Sequence, residues 1–270
     1  MSSEFLLPEL ATAGESSAPD VWIQKGHVPE INPHLFWKGE SSIRVSRGQN
    51  ITVDVFSGAD ELAVRLSILG PAFSKLLSQR GFLILHAGAV KTKKGAVAFL
   101  GASGAGKSTL VAALHAKGYS VVSDNFLAVG FHEGKPLVYS SFPQCKLLPD
   151  SIRALGYDVE NLPRIERTAR KRALALKNRF IKKPCPLKCI YILSEGKEAG
   201  IQDATPRQKL LSFITHSYNS KHATENKTLS DHFSHATYLI NSIPMKHLKR
   251  TRDFSALPKL IQLIENDLGI

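Results

Sequence analysis

With 270 residues, 43% of them hydrophobic and 21% charged, the chain can bury a full core as one large domain or two modest ones. No apolar run approaches a membrane span, three cysteines cannot make a paired framework, and the acidic opening is wrong for a signal peptide; a cytoplasmic protein without membrane contact is expected. The formal charge of +12 favours an acidic partner, whether anionic peptide, nucleotide phosphates or nucleic acid, yet no nucleic-acid recognition motif accompanies it.

Residues 1–20 read as a flexible, proline-ended leader. From Val21 to about Gly58 the pattern is strands and turns. Ser42–Val45 and Ile51–Phe56 alternate with period two around a turn at Arg47-Gly48-Gln49-Asn50. Asp60–Leu69 has helical spacing, Gly70-Pro71 interrupts it, and Pro71–Gln79 begins a second helix with Gly81 beyond its end. Residues 21–80 thus form a small, β-rich N-terminal α+β region. Phe82–Val90 reads as one strand, turned by Lys91-Thr92-Lys93-Lys94-Gly95 into the run Gly95–Leu100. That hairpin predicts an α/β fold with a mixed sheet rather than an all-parallel one.

The next eight residues, Gly101-Ala102-Ser103-Gly104-Ala105-Gly106-Lys107-Ser108, satisfy the phosphate-loop pattern G-x-x-x-x-G-K-[ST]. Glycines let successive backbone N–H groups converge on phosphate oxygens. Lys107 reaches the outer phosphates and the Ser108 hydroxyl suits Mg²⁺. Thr109–Lys117 reads as a helix closed by Gly118, so Gly101–Thr109 is the expected nucleotide cradle, with the helix dipole favouring the anion. Tyr119–Asp124 is an apolar strand ending in a carboxylate. Asp124 can hold Mg²⁺ or take a proton, against the bland reading of a capping aspartate. Asn125 follows it.

Phe126–Val129, Leu137–Ser140 and Gln144–Leu148 are short strands, and Pro149-Asp150-Ser151 opens a short helix. Residues 164–183 hold nine basic side chains against one acid, Glu166. They read either as a solvated, partly helical arm or as a mobile segment that closes over the nucleotide. In the second case Arg170, Lys171 or Arg172 touches the transferring phosphoryl group. The run has no aromatic before Phe180, which makes RNA an unlikely partner. Leu187–Leu193 reads as a strand, Pro206–Tyr218 as a helix capped by Thr205, and Thr228–Asn241 as another. Ile243–Leu248 is a candidate strand before the amphipathic helix Phe254–Leu268. Cys185 and Cys189 lack a second pair at metal spacing, and His216, His222, His232 and His235 read as surface histidines.

Residues 82–129, with His86 on a strand, a hairpin, the phosphate loop and an acid-ended strand, resemble the catalytic core of HPr kinase/phosphorylase-type serine kinases. The stretch from Leu69 to Leu268 is similar to HprK-related kinases of bacterial operons, some of which phosphorylate lasso-peptide precursors. The similar segments are Leu69–Gly81, Leu85–Val90, Gly101–Leu114, Gly118–Asp124, Phe142–Pro149 and Pro186–Leu193. The resemblance implies a PEP-carboxykinase/HPr-kinase type of phosphate-loop domain over residues 81–270. It also implies transfer of a phosphoryl group from ATP (GTP is the alternative donor) to a serine hydroxyl, with Mg²⁺ required. Asp124 matches the first of the family's paired aspartates and His86 the histidine before the loop.

Two departures stand out. Where the family carries Asp-Asp this chain has Asp124-Asn125, and an amide cannot serve as a base at neutral pH. Nor does it carry the glycine-rich signature that follows the aspartates in true HPr kinase/phosphorylases, so neither reverse phosphorolysis nor HPr as substrate is implied. The expected acceptor is an acidic peptide or small protein. A nucleotide-binding regulator and a small-molecule hydroxyl kinase are the competing readings, and a homo-oligomer stays open.

Overall fold

The computed structural model describes residues 21–28, 35–37, 39–176, 178–218 and 226–270; the leader, Lys177 and His222 lie outside them. The chain begins with β1 (Trp22–Lys25), β2 (Leu35–Trp37), β3 (Ser41–Ser46) and β4 (Asn50–Val55). They form a small sheet in the order β1-β4-β3-β2, parallel only between β1 and β4. Helix α1 (Glu61–Ser67) starts where the Asp60 side chain accepts the Leu62 N–H. The break expected at Gly70-Pro71 is instead a π turn, Ile68–Ala72, leading straight into α2 (Phe73–Gln79). Pro71 has no N–H to donate, and the wider turn carries the helical run past it.

The predicted strand Phe82–Val90 is broken at His86 into β5 (Leu83–Leu85) and β6 (Ala87–Thr92). After it come β7 (Gly95–Leu100), α3 (Lys107–Lys117), β8 (Ser120–Ser123), β9 (Leu127–His132), β10 (Lys135–Tyr139), β11 (Gln144–Leu147) and α4 (Pro149–Ala154). The basic run is not a helical arm. It contains β12 (Arg172–Ala175), paired antiparallel with β11, and sends Leu174 and Leu176 into the core. The chain closes with β13 (Cys185–Glu195), β14 (Gly200–Asp203), α5 (Pro206–His216), α6 (Asn226–Ser242), β15 (Met245–Arg250) and α7 (Leu257–Leu268).

Nine strands make the large mixed sheet, in the order β5-β9-β10-β13-β7-β6-β8, with β15 on β13 and β14 on β15. Beyond β8, the Val121 N–H donates to Arg179 O (2.8 Å) and Val121 O accepts from Ile181 N–H (3.0 Å). Alternation along β7 sets the layers. Val97 and Phe99 pack with Leu110, Val111 and Leu114 of α3 and Leu260, Ile261 and Ile264 of α7. Ala96, Ala98 and Leu100 face Phe213 of α5 and Leu239 of α6. Buried on both faces, the sheet reads in sequence as continuous apolar runs. Each large side chain so buried contributes about 1.5–3 kcal/mol. The small sheet and α1–α2 enclose a third cluster, which runs on into Ile84, Phe126 and Ala128 of the large sheet's edge.

Candidate nucleotide site

Register gathers the site. β7 and β8 are each antiparallel to β6, which lies between them, so they run parallel and α3 connects them. Ala87 pairs with Leu100 and Ala89 with Ser123. The start of β6 therefore lies beside the ends of β7 and β8, which brings His86, the loop from Gly101 and Asp124 to one end of the sheet. At His86 the chain is stitched to a neighbouring segment: its N–H donates to His216 O (2.7 Å), and Ile84 O accepts from Tyr218 N–H (3.0 Å). The His86 ring meets Tyr218 edge-on, with centroids 5.9 Å apart.

The loop turns into α3 through Gly106, whose φ of 92° a side chain would strain. A Cβ there would also lie 2.7 Å from the Arg250 guanidinium. The first helical bond runs from Leu110 N–H to Gly106 O (2.9 Å), leaving the amides of residues 107–109 ahead of the ladder. Lys107 folds back on the loop, donating to Gly101 O (2.7 Å) and Ala102 O (3.1 Å). Burial lowers its pKa to about 8, with the Asp124 carboxyl opposing and the Lys171 ammonium adding to the fall. Arg250 closes the far side, donating from Nε to Ala105 O (2.6 Å). The Thr109 hydroxyl meets that of Ser151 at 2.9 Å.

Asp124 is 7% exposed. Its Oδ2 accepts the Lys146 N–H at 2.9 Å, whereas Oδ1 is buried with no hydrogen-bond partner among the described residues. Burial pushes the carboxyl pKa up, against the pull of the Lys146 N–H, the Ser108 hydroxyl and the Lys146 and Lys171 ammoniums. Close approach here depends on Gly88: a Cβ on it would lie 2.6 Å from Val111 and 3.7 Å from Asp124 Oδ1. Asn125 adopts a left-handed φ of 87°, which asparagine tolerates better than most residues, and its side chain is hydrogen-bonded to Tyr218.

A cavity of about 520 Å³ opens over the loop. Its lining includes the polar side chains of His86, Lys107, Ser108, Asn125, Lys146 and Lys171 and the apolar ones of Phe254, Leu257 and Leu260. Of the three cations singled out in the basic run, only Lys171 reaches it. Arg170 is exposed elsewhere, and Arg172 pairs with Glu160 at 3.4 Å. Lys146, Arg250, His216 and Tyr218 are the residues that sequence reasoning missed. The His216 imidazole has its pKa lowered by burial and by the Lys107 charge. None of the four belongs to a spacing pattern; each is brought in by strand pairing or by the stitch at His86.

No family model matches the chain, and no curated protein does. Among solved structures it is similar to the HPr(Ser) kinase/phosphatase from Coxiella burnetii, at 11% identity, covering 68% of this chain and 95% of that one with a TM-score of 0.40. A likeness that loose carries neither activity nor site residues across.

Proposed function

We propose that this protein binds ATP with Mg²⁺ and transfers the terminal phosphoryl group to a serine hydroxyl of an acidic peptide or small protein. The observation that carries the reading is the orphaned Asp124 Oδ1 beside Ser108 at the mouth of a phosphate loop. The loop amides and Lys107 hold the phosphates, and the nucleoside lies toward Phe254, Leu257 and Leu260. GTP presents the same triphosphate, so the loop end does not discriminate between them.

Mg²⁺ fits the donors present. Asp124 and Ser108 offer hard oxygens, and such an ion is ordinarily held by one or two carboxylates plus phosphates. Bound there, it supplies neutralisation of the charge on the phosphates. With Asp124 so engaged and its other oxygen taken by the Lys146 N–H, the hydroxyl proton goes to His86, an imidazole at the cavity wall. The serine oxygen bonds to the γ-phosphorus as the bond to the bridging oxygen breaks, and ADP leaves with that electron pair. The exposed Arg164, Arg167 and Arg170, with the +12 charge, favour an acidic acceptor.

The test is incubation with γ-labelled ATP, Mg²⁺ and a serine peptide encoded beside the gene. Label on serine is expected; no transfer at high protein concentration, despite nucleotide binding, sinks the kinase reading. Asn125 favours a second reading, a nucleotide-binding regulator with weak or lost transfer. Asn125→Asp separates them: activity that appears only in the variant decides for the regulator.

A further inference from the structure

Two cations that line the cavity with the loop have, among the described residues, no hydrogen-bond or ion-pair partner for their ammonium groups. Strands β11 and β12 set Lys146 opposite Ala173 and Leu147 opposite Arg172. This ribbon delivers Lys146 and, one residue before its second strand, Lys171 to the cavity lining, close enough for each charge to act on the other. The other cations nearby are occupied: Lys107 on the carbonyls of Gly101 and Ala102, Arg250 on Ala105, Arg172 on Glu160.

Such an arrangement is costly in the empty protein. The half-buried Lys146 ammonium and the Lys171 ammonium repel each other, and the Asp124 and Glu166 carboxylates offset only part of that cost. Like charges on a half-buried wall are retained when an anion arrives to join them. A tetrahedral phosphoryl group suits the pair because it presents several charged oxygens at once. The loop cradles the inner phosphates, so the group that reaches the opposite wall is the outermost one.

Resting on the reading of the site as a nucleoside triphosphate pocket, we infer that Lys146 and Lys171 form a two-ammonium clamp on the terminal phosphate, facing Lys107 across it. Lys146 is the rigid arm, on a strand anchored by buried Cys145 and Leu147. Lys171 is the adjustable one, next to exposed Arg170.

Titration calorimetry with ATP and with ADP, both with Mg²⁺, tests the clamp on Lys146→Met and Lys171→Met. Each variant is expected to lose about tenfold in ATP affinity, the order of one charge-assisted hydrogen bond, and to bind ADP within about twofold of the unmodified protein. Lys171→Met replaces a side chain on an irregular segment, so it keeps the test valid should Lys146→Met misfold by circular dichroism. Equal losses for both nucleotides, or no loss for either, overturn the clamp. Unchanged nucleotide binding with a raised KM for the acceptor overturns it too, and assigns the lysines to the acceptor. If the unmodified protein binds neither nucleotide, the triphosphate reading fails and takes the clamp with it.

Discussion

The two walls of the cavity differ in what they have already satisfied. On the loop side the polar groups answer one another: Lys107 bonds to loop carbonyls and Arg250 to Ala105 O. On the ribbon side, among the described residues, Asp124 Oδ1 and the Lys146 and Lys171 ammoniums have no hydrogen-bond or ion-pair partner. The first wall is a cradle whose groups bond to one another, and in the proposed reading the second is completed by the terminal phosphate. Preorganisation on one side and unspent charge on the other let a site hold a phosphate chain and still act on its end.

The largest effects should come from removing either wall's central group. Lys107→Met is expected to cost about 100-fold or more in ATP affinity, measured by calorimetry. Asp124→Asn should cost about 100- to 1000-fold in transfer while Mg²⁺-free ATP binds as well or better, because a negative charge has gone. If both variants lose the same property, the contrast between the walls is wrong. Gly106→Ala attacks the cradle through backbone strain of about 1–2 kcal/mol and a clash with Arg250; triphosphate binding should fall sharply, with a Tm lowered by about 2–8 °C.

A subtler probe is pH. The free-protein pKa of Lys107 is about 8, below the ordinary 10.5, and phosphates favour its charged form. Above pH 8, ATP binding should take up a proton and weaken as pH rises, read from calorimetry in buffers of different ionisation enthalpy. The same depressed pKa means that the unfolded chain holds more protons between pH 8 and 10.5, so this lysine's contribution to stability rises with pH across that window. The smallest expected effect lies in the cavity's apolar lining. Phe254→Ala should weaken ATP about three- to tenfold and leave inorganic tripolyphosphate unchanged.

The loop wall was legible in the sequence because its chemistry is local: eight consecutive residues bend, donate and start a helix. The mixed sheet was legible too, from the short hairpin before the loop. The break at His86 was not, since a run such as Phe82–Val90 looks the same whether or not its halves pair with different strands; here Leu83–Leu85 pairs with β9 and Ala87–Thr92 with β7 and β8. The ribbon wall is tertiary throughout. Lys146 carries no motif, and Lys171 meets it only because β12 pairs with β11. Charge also masked burial: in the basic run, Glu166, Leu174 and Leu176 are inside, and composition averages them away.

The bonds from Val121 to Arg179 and Ile181 bear on how the protein is handled. They cover an otherwise open border of the sheet, where a bare row of amides and carbonyls would template pairing between molecules. Trimming the lysine- and arginine-rich stretch to obtain a minimal domain would therefore uncover an adhesive rim, and the shortened protein should precipitate at concentrations that the intact chain tolerates.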